Sequence, residues 1–138
     1  MIPVIAKILV FITMVFFHII DDFYLQGSLG QLKQKSWWKE NHPDSLYRYD
    51  YITALIIHGF SWTCMIHIPI FVFYIYYGIS LSLFSVLSIS GLFILNVFIH
   101  AYVDHMKCNR MELNLTADQL IHIIYIFLTY YIDMILVI

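Results

Sequence analysis

The sequence predicts an all-α fold: a polytopic membrane protein built as a four-helix transmembrane bundle, with a short interfacial segment between helices 1 and 2. Three observations predict it. Of 138 residues, 62% are hydrophobic and 12% charged, with a mean hydropathy of +0.81, whereas soluble domains average roughly 45–50% apolar and about 25% charged. Residues 51–103 contain no Asp, Glu, Lys or Arg. The remaining apolar runs, at the two ends of the chain, are each long enough for one more span. This composition excludes a disordered chain and an ordinary soluble enzyme. A net charge of −2 leaves no polybasic surface for nucleic acid. Cys64 and Cys108 are too few for a disulfide framework and form no cysteine-rich zinc motif. One transmembrane domain covers 1–138.

The first span, about 3–25, is an apolar stretch interrupted by Lys7, His18, Asp21 and Asp22. It carries Asp21-Asp22 where a signal peptide would have a small-residue cleavage site, so it reads as a retained helix. The charge-free stretch would be roughly 80 Å of helix at about 1.5 Å per residue. A bilayer core takes about 20 residues, so the stretch divides into spans 51–77 and 80–106. Gly78 in Tyr77-Gly78-Ile79-Ser80 marks the turn, because glycine ends helices readily. Pro69 is expected to kink the second span. The fourth span, 115–137, carries Asp118 and Asp133. Trp37 and Trp38, beside Lys35 and Lys39, suit a segment lying at the membrane interface.

Basic residues set the orientation. Lys33, Lys35, Lys39 and Arg48 lie between spans one and two, and Lys107 and Arg110 between spans three and four. Lys7 alone lies on the other side. The positive-inside rule then puts both charged loops in the cytoplasm and both termini outside a cell (inner) membrane.

The ionisable residues inside the spans are ordered. His18 and Asp22 lie on span one, His58 on span two, His100 and Asp104 on span three, Asp118 and His122 on span four. Each His–Asp pair is spaced i, i+4, which puts both side chains on one helix face. The order is His then Asp on spans one and three, and Asp then His on span four. Antiparallel helices require that reversal if like residues share a depth. All four histidines fall roughly 10–12 Å, and the aspartates about 4–6 Å, from the charged-loop ends of their helices. Span two has Ala54 at the aspartate level. The expected site is four histidines above three aspartates, in a bundle open toward the cytoplasm.

Three buried carboxylates in one small volume repel one another and cannot all ionise unaided. A divalent cation resolves that conflict. Imidazole and carboxylate suit zinc best, with iron or manganese also fitting, and four-helix bundles support two-metal carboxylate–histidine sites. Seven ligands, His18, Asp22, His58, His100, Asp104, Asp118 and His122, match two ions about 3.5–4 Å apart with a bridging water whose pKa falls to about 7. The expected function is a metal-dependent hydrolase acting on an ester, amide or phosphoester of a lipid or membrane-adjacent substrate. Asp22, Asp104 and Asp118 are the catalytic candidates, one of them as general base. Ion or proton conduction competes with this reading, because Asp and His chains in membranes also mark ion paths. Against it, the outer half offers only Ser82, Ser85, Ser88 and Thr129 as stepping stones. Bis-histidine haem, a structural polar network and a non-enzymatic interaction factor are further alternatives.

Other polar residues read as structural. His67 packs, His42 is solvated in its loop, and His105 faces the interface or flanks the site. Asp21 lies off the Asp22 face, and Asp133 is solvated near the outer end or paired with Lys7.

The combination HxxxDxxLQ (His18, Asp22, Leu25, Gln26), His58, HxxxDxxK (His100, Asp104, Lys107) and DQxxH (Asp118, Gln119, His122) resembles the bacterial and phage membrane family catalogued as domain of unknown function 3307. That family is distantly similar to predicted membrane-bound metal-dependent hydrolases. The resemblance implies three further site residues. Gln26 and Gln119 would orient ligands or a bound water. Lys107 would hold an anionic head group or phosphate.

Overall fold

The computed structural model describes the backbone of residues 2–137 and the side chains of residues 2–135. Among these residues the structure is helical throughout, without strands. The helices are α1 (Val4–Ile20), α2 (Leu29–Leu32), α3 (Lys35–Asn41), α4 (Asp50–Tyr76), α5 (Leu83–Cys108) and α6 (Leu115–Val137). A π-helical turn, Asp21–Leu25, extends α1, and a 3-10 turn, Ser45–Tyr47, precedes α4. Four segments are long and apolar enough to cross a membrane: Val4–Leu25, Ser45–Tyr76, Leu83–Cys108 and Leu115–Ile135.

Helix ends follow local chemistry. Tyr77 ends α4, and Gly78 takes φ +61. The Ile79 N–H donates to the Tyr74 carbonyl at 2.9 Å and the Gly78 N–H to that of Ile75 at 3.2 Å, which closes a Schellman motif at the turn the sequence predicts. Ser82 Oγ caps α5 by accepting from the Ser85 N–H, and Asn114 Oδ1 caps α6 by accepting from that of Ala117. α4 continues through Pro69.

The four long helices pack in a ring. α1 lies against α4, α4 against α5, α5 against α6 and α6 against α1. Gly59 sets the closest approach, because a Cβ built there would stand 2.6 Å from the Val97 carbonyl oxygen of α5. Half of the interior is an apolar core, including Val10, Met14, Ile66, Ile70, Phe73, Ile126 and Met134. The other half holds the larger group of buried ionisable residues, including His18, Asp22, His58, His100, Asp104, Asp118 and His122. Most outward side chains, such as Leu9, Phe16, Phe60, Leu95, Phe98 and Phe127, are exposed and apolar.

Three expectations change. Asp21 is buried at 1% exposure. The Gln26 N–H donates to the Asp21 carbonyl five residues back, so the turn holds one residue more than an α turn and points both consecutive aspartates inward. Asp133 is fully buried, with His67 Nε2 3.9 Å from its carboxylate; it is neither solvated nor shown against Lys7. The bundle end is also closed rather than open. After Gly27 the chain turns back, α2 packs on α4, and Lys33 is buried. His42 is exposed, yet its ring lies against Trp37, Trp38 and Tyr47.

Candidate metal centre

Every residue of the seven-member set is buried, none more than 7% exposed. The end of α1, the start of α4, the end of α5 and the start of α6 each deliver one or two of them. His58 Nε2 lies 3.3 Å from Asp22 Oδ1 and 3.5 Å from Asp104 Oδ2. His100 Nε2 lies 3.8 Å and 3.7 Å from the same two oxygens. His122 lies between His18 and His100, stacked on the first at 5.4 Å between centroids and tilted to the second at 4.5 Å. Two groups have ligand atoms within 4.8 Å of one another: Asp22, His58 and His100, and His100, Asp104 and His122.

Hydrogen bonds divide the set. His122 Nδ1 is 2.8 Å from the Asp118 carbonyl. A carbonyl only accepts, so Nδ1 carries the proton and Nε2 presents its lone pair to the cluster. Asp22 Oδ1, His58 Nε2, His100 Nε2, His122 Nε2 and Asp118 Oδ1 are all buried without a hydrogen-bond partner among the described residues. Buried polar atoms are normally paired, and these belong to neighbouring residues of one cluster. His58 is supported from behind, its Nδ1 3.6 Å from Asp21 Oδ2, while Ser61 Oγ donates to Asp21 Oδ1 at 2.7 Å.

His18 stands apart, because both of its ring nitrogens are engaged. Trp62 Nε1–H donates to His18 Nδ1 at 2.7 Å. Indole can only donate, so the proton of a neutral His18 sits on Nε2 and is given to Gln119 Oε1 at 3.1 Å. The Gln119 amide nitrogen then donates to Asp22 Oδ2 at 3.3 Å and Asp118 Oδ2 at 3.0 Å. This directed chain from Trp62 leaves the opposite oxygens, Asp22 Oδ1 and Asp118 Oδ1, facing the cluster. Trp62 also stacks on His100, with centroids 4.4 Å apart, and forms its apolar roof.

Two lysines enter the cluster. Lys33 Nζ donates to Asp104 Oδ2 at 2.6 Å, and Lys107 Nζ to Asp118 Oδ2 at 2.6 Å. Lys107 is therefore engaged with an acid of the cluster, with its side chain still 30% exposed. Asn109 at the end of α5 secures the Lys33 segment, donating to the Lys33 carbonyl at 3.0 Å and accepting the Lys35 N–H at 2.6 Å. Gln26 Nε2 donates to the Asp22 carbonyl, a backbone contact across the π turn, and not to a ligand atom. His105 stacks beside Tyr51 outside the cluster.

Sequence reasoning passed over Lys33, Asp21 and Trp62. Trp62 carried a signal: it lies four residues after His58 and so on the same face of α4. Comparison of the chain with protein-family models, with curated proteins and with solved structures gives no match. The resemblance to the domain-of-unknown-function 3307 family rests on the quoted residues alone.

Proposed function

We propose that the protein is a multi-pass membrane metalloenzyme of the hydrolase class, with its buried His/Asp cluster at the cytoplasmic end of a four-helix bundle and both termini on the other side. The carrying observation is that Asp22 Oδ1, His58 Nε2, His100 Nε2, His122 Nε2 and Asp118 Oδ1 are buried in one cluster with no hydrogen-bond partner among the described residues. Asp22, His58, His100 and His122 are the ligands in this reading. His18 serves instead by holding Gln119, which aligns Asp22 and Asp118.

Charge favours one ion over two. Asp21, Asp22, Asp104 and Asp118 bring four negative charges, and Lys33 and Lys107 return two. With neutral imidazoles, one divalent cation balances what is left. Zinc suits this nitrogen-rich set best, and iron or manganese fit the same ligands. The bound ion would supply a hydroxide near neutral pH. Asp118 Oδ1 would take the proton from the attacking water, since Lys107 and Gln119 hold its other oxygen. The segment carrying Lys33 must lift for a lipid or membrane-adjacent ester, amide or phosphoester to reach the ion.

Elemental analysis of protein purified in detergent without chelator tests the metal. About one equivalent of a divalent transition metal is expected, falling severalfold in His100→Ala and Asp22→Asn, as loss of one ligand weakens a four-ligand site. Protein with well under one equivalent of any transition metal would refute the reading. Turnover of an ester and phosphoester lipid panel in liposomes, lost on chelation, tests the hydrolase. One observation favours the second reading, conduction. Asn96–Thr129 and His67–Asp133 are buried in the half of the bundle where sequence suggested few polar groups. Metal- or proton-dependent flux into vesicles without lipid turnover would decide for it.

A further inference from the structure

Away from the metal cluster, the apolar half of the bundle encloses a second ionisable pair. His67 on α4 and Asp133 on α6 are both fully buried, and His67 Nε2 stands 3.9 Å from Asp133 Oδ2. Among the described residues, neither Asp133 oxygen has a hydrogen-bond donor and His67 Nε2 has no partner. The other ring nitrogen, Nδ1, is 2.8 Å from the Thr63 carbonyl, so it carries a proton and Nε2 is left with its lone pair. A lone pair thus faces a carboxylate oxygen, with no proton assigned between them.

Among the described residues, no lysine, arginine or further acid is paired with His67 or Asp133. From α4, Tyr74 is the nearby titratable group, and its hydroxyl donates to the Asp133 backbone carbonyl. α5 presents the Phe93 ring against His67, 5.1 Å between centroids. α1 contributes Val10 and Met14 to the apolar core shared with Tyr74 and Met134. One turn before Asp133, Thr129 is tied to Asn96 in a reciprocal pair at 2.9 and 3.2 Å. An ionised carboxylate beside a neutral imidazole would leave one uncompensated charge in this setting, which is strongly unfavourable. One proton removes it. Placed on Oδ2 it gives a carboxylic acid beside a neutral imidazole. Moved to Nε2 it gives a carboxylate–imidazolium pair. The sum is neutral in both cases. Two residues offer too few ligands for a metal ion, which takes four or more.

We infer that His67 and Asp133 form a second site that binds a single proton, held between Asp133 Oδ2 and His67 Nε2. The inference does not rest on the metal reading. It gives the polar groups of that half of the bundle a ligand, and Thr129 with Asn96 lies between the pair and the metal cluster along α6 and α5.

Infrared spectroscopy and nitrogen-15 NMR of the intact protein in lipid test it. A protonated-carboxyl C=O band is expected that shifts down in deuterium oxide and is lost in Asp133→Asn, with metal content unchanged. If the NMR spectrum instead shows His67 protonated on both nitrogens, the proton is on the imidazole and the site stands. Should Asp133→Asn not fold, His67→Asn must shift the same band, and the wild-type NMR signal is read independently. An ionised Asp133 beside a neutral His67 overturns the inference.

Discussion

Gly59→Ala couples the packing of the bundle to the proposed metal site. The added methyl would stand 2.6 Å from the Val97 carbonyl oxygen and 3.4 Å from the Ala101 nitrogen. Both are backbone atoms of α5, so no side chain can rotate away. Ordinary contact begins near 3.4 Å, so α4 and α5 must separate by about 0.8 Å, the kind of overpacking that costs ~1–3 kcal/mol. His58 precedes Gly59, and His100 precedes Ala101. The shift therefore falls on two of the four proposed ligands, whereas metal–ligand distances tolerate about 0.2 Å. Metal affinity should fall at least ~10-fold, equivalent to about 1.4 kcal/mol, with a lower melting temperature. Gly91→Ala is the control. It lies on α5 with nothing within 4 Å of the added Cβ, and should stabilise by up to ~1 kcal/mol through helix propensity. Chelator competition and thermal melts in detergent measure both. Wild-type metal affinity in Gly59→Ala would refute the claim that this contact positions the ligands.

Lys33→Met removes the partner of a buried carboxylate. The metal-free protein should lose ~3–5 kcal/mol, and added zinc should raise its melting temperature more than that of the wild type; equal zinc responses would count against the charge balance. Lys35→Met, at an exposed lysine with no ion pair among the described residues, should change neither quantity. Trp62→Phe withdraws the donor that fixes the His18 tautomer, so metal affinity should fall ~10–100-fold, as when outer partners of ligands are removed. An affinity within twofold of wild type would show that the Trp62–His18–Gln119 chain positions nothing.

What was legible in the sequence was whatever obeys helix periodicity. Four helices long and apolar enough to cross a membrane follow from apolar length, and the turn at Gly78 from one glycine. The i, i+4 pairs and their reversal on α6 anticipated which side chains would meet, because the α-helix repeats at a known angle. Asp21 escaped for the same reason. An angle of about 100° per residue places it off the Asp22 face, but the π turn breaks that count where the two acids sit. Asp133 was legible and missed. His122, Ile126, Thr129 and Asp133 follow one another at spacings of four, three and four on α6, a stripe facing the interior. Its nearness to the helix end obscured this. Lys33 had no such signal, since a loop residue's destination depends on how the loop folds back over the bundle.

That one residue changes the argument for the metal. Three acids at one depth predict repulsion strong enough to demand a cation. Lys33 and Lys107 meet part of the demand from within the chain, each 2.6 Å from its aspartate. The case for a metal therefore moves from total charge to unmatched atoms. Lysine satisfies Asp104 Oδ2 and Asp118 Oδ2, but an ammonium is only a donor and can serve neither an acid nor an imidazole that the chain does not place beside it. Asp22 is the acid of the set without a lysine, and its Oδ1 faces the Nε2 atoms of His58 and His100, none of them hydrogen-bonded. An ion bound there is predicted to sit nearer Asp22 than Asp104, so Asp22→Asn should reduce metal content more than Asp104→Asn. The reverse order would place the ion in the His100, Asp104 and His122 group and require Lys33 to leave Asp104 when metal binds.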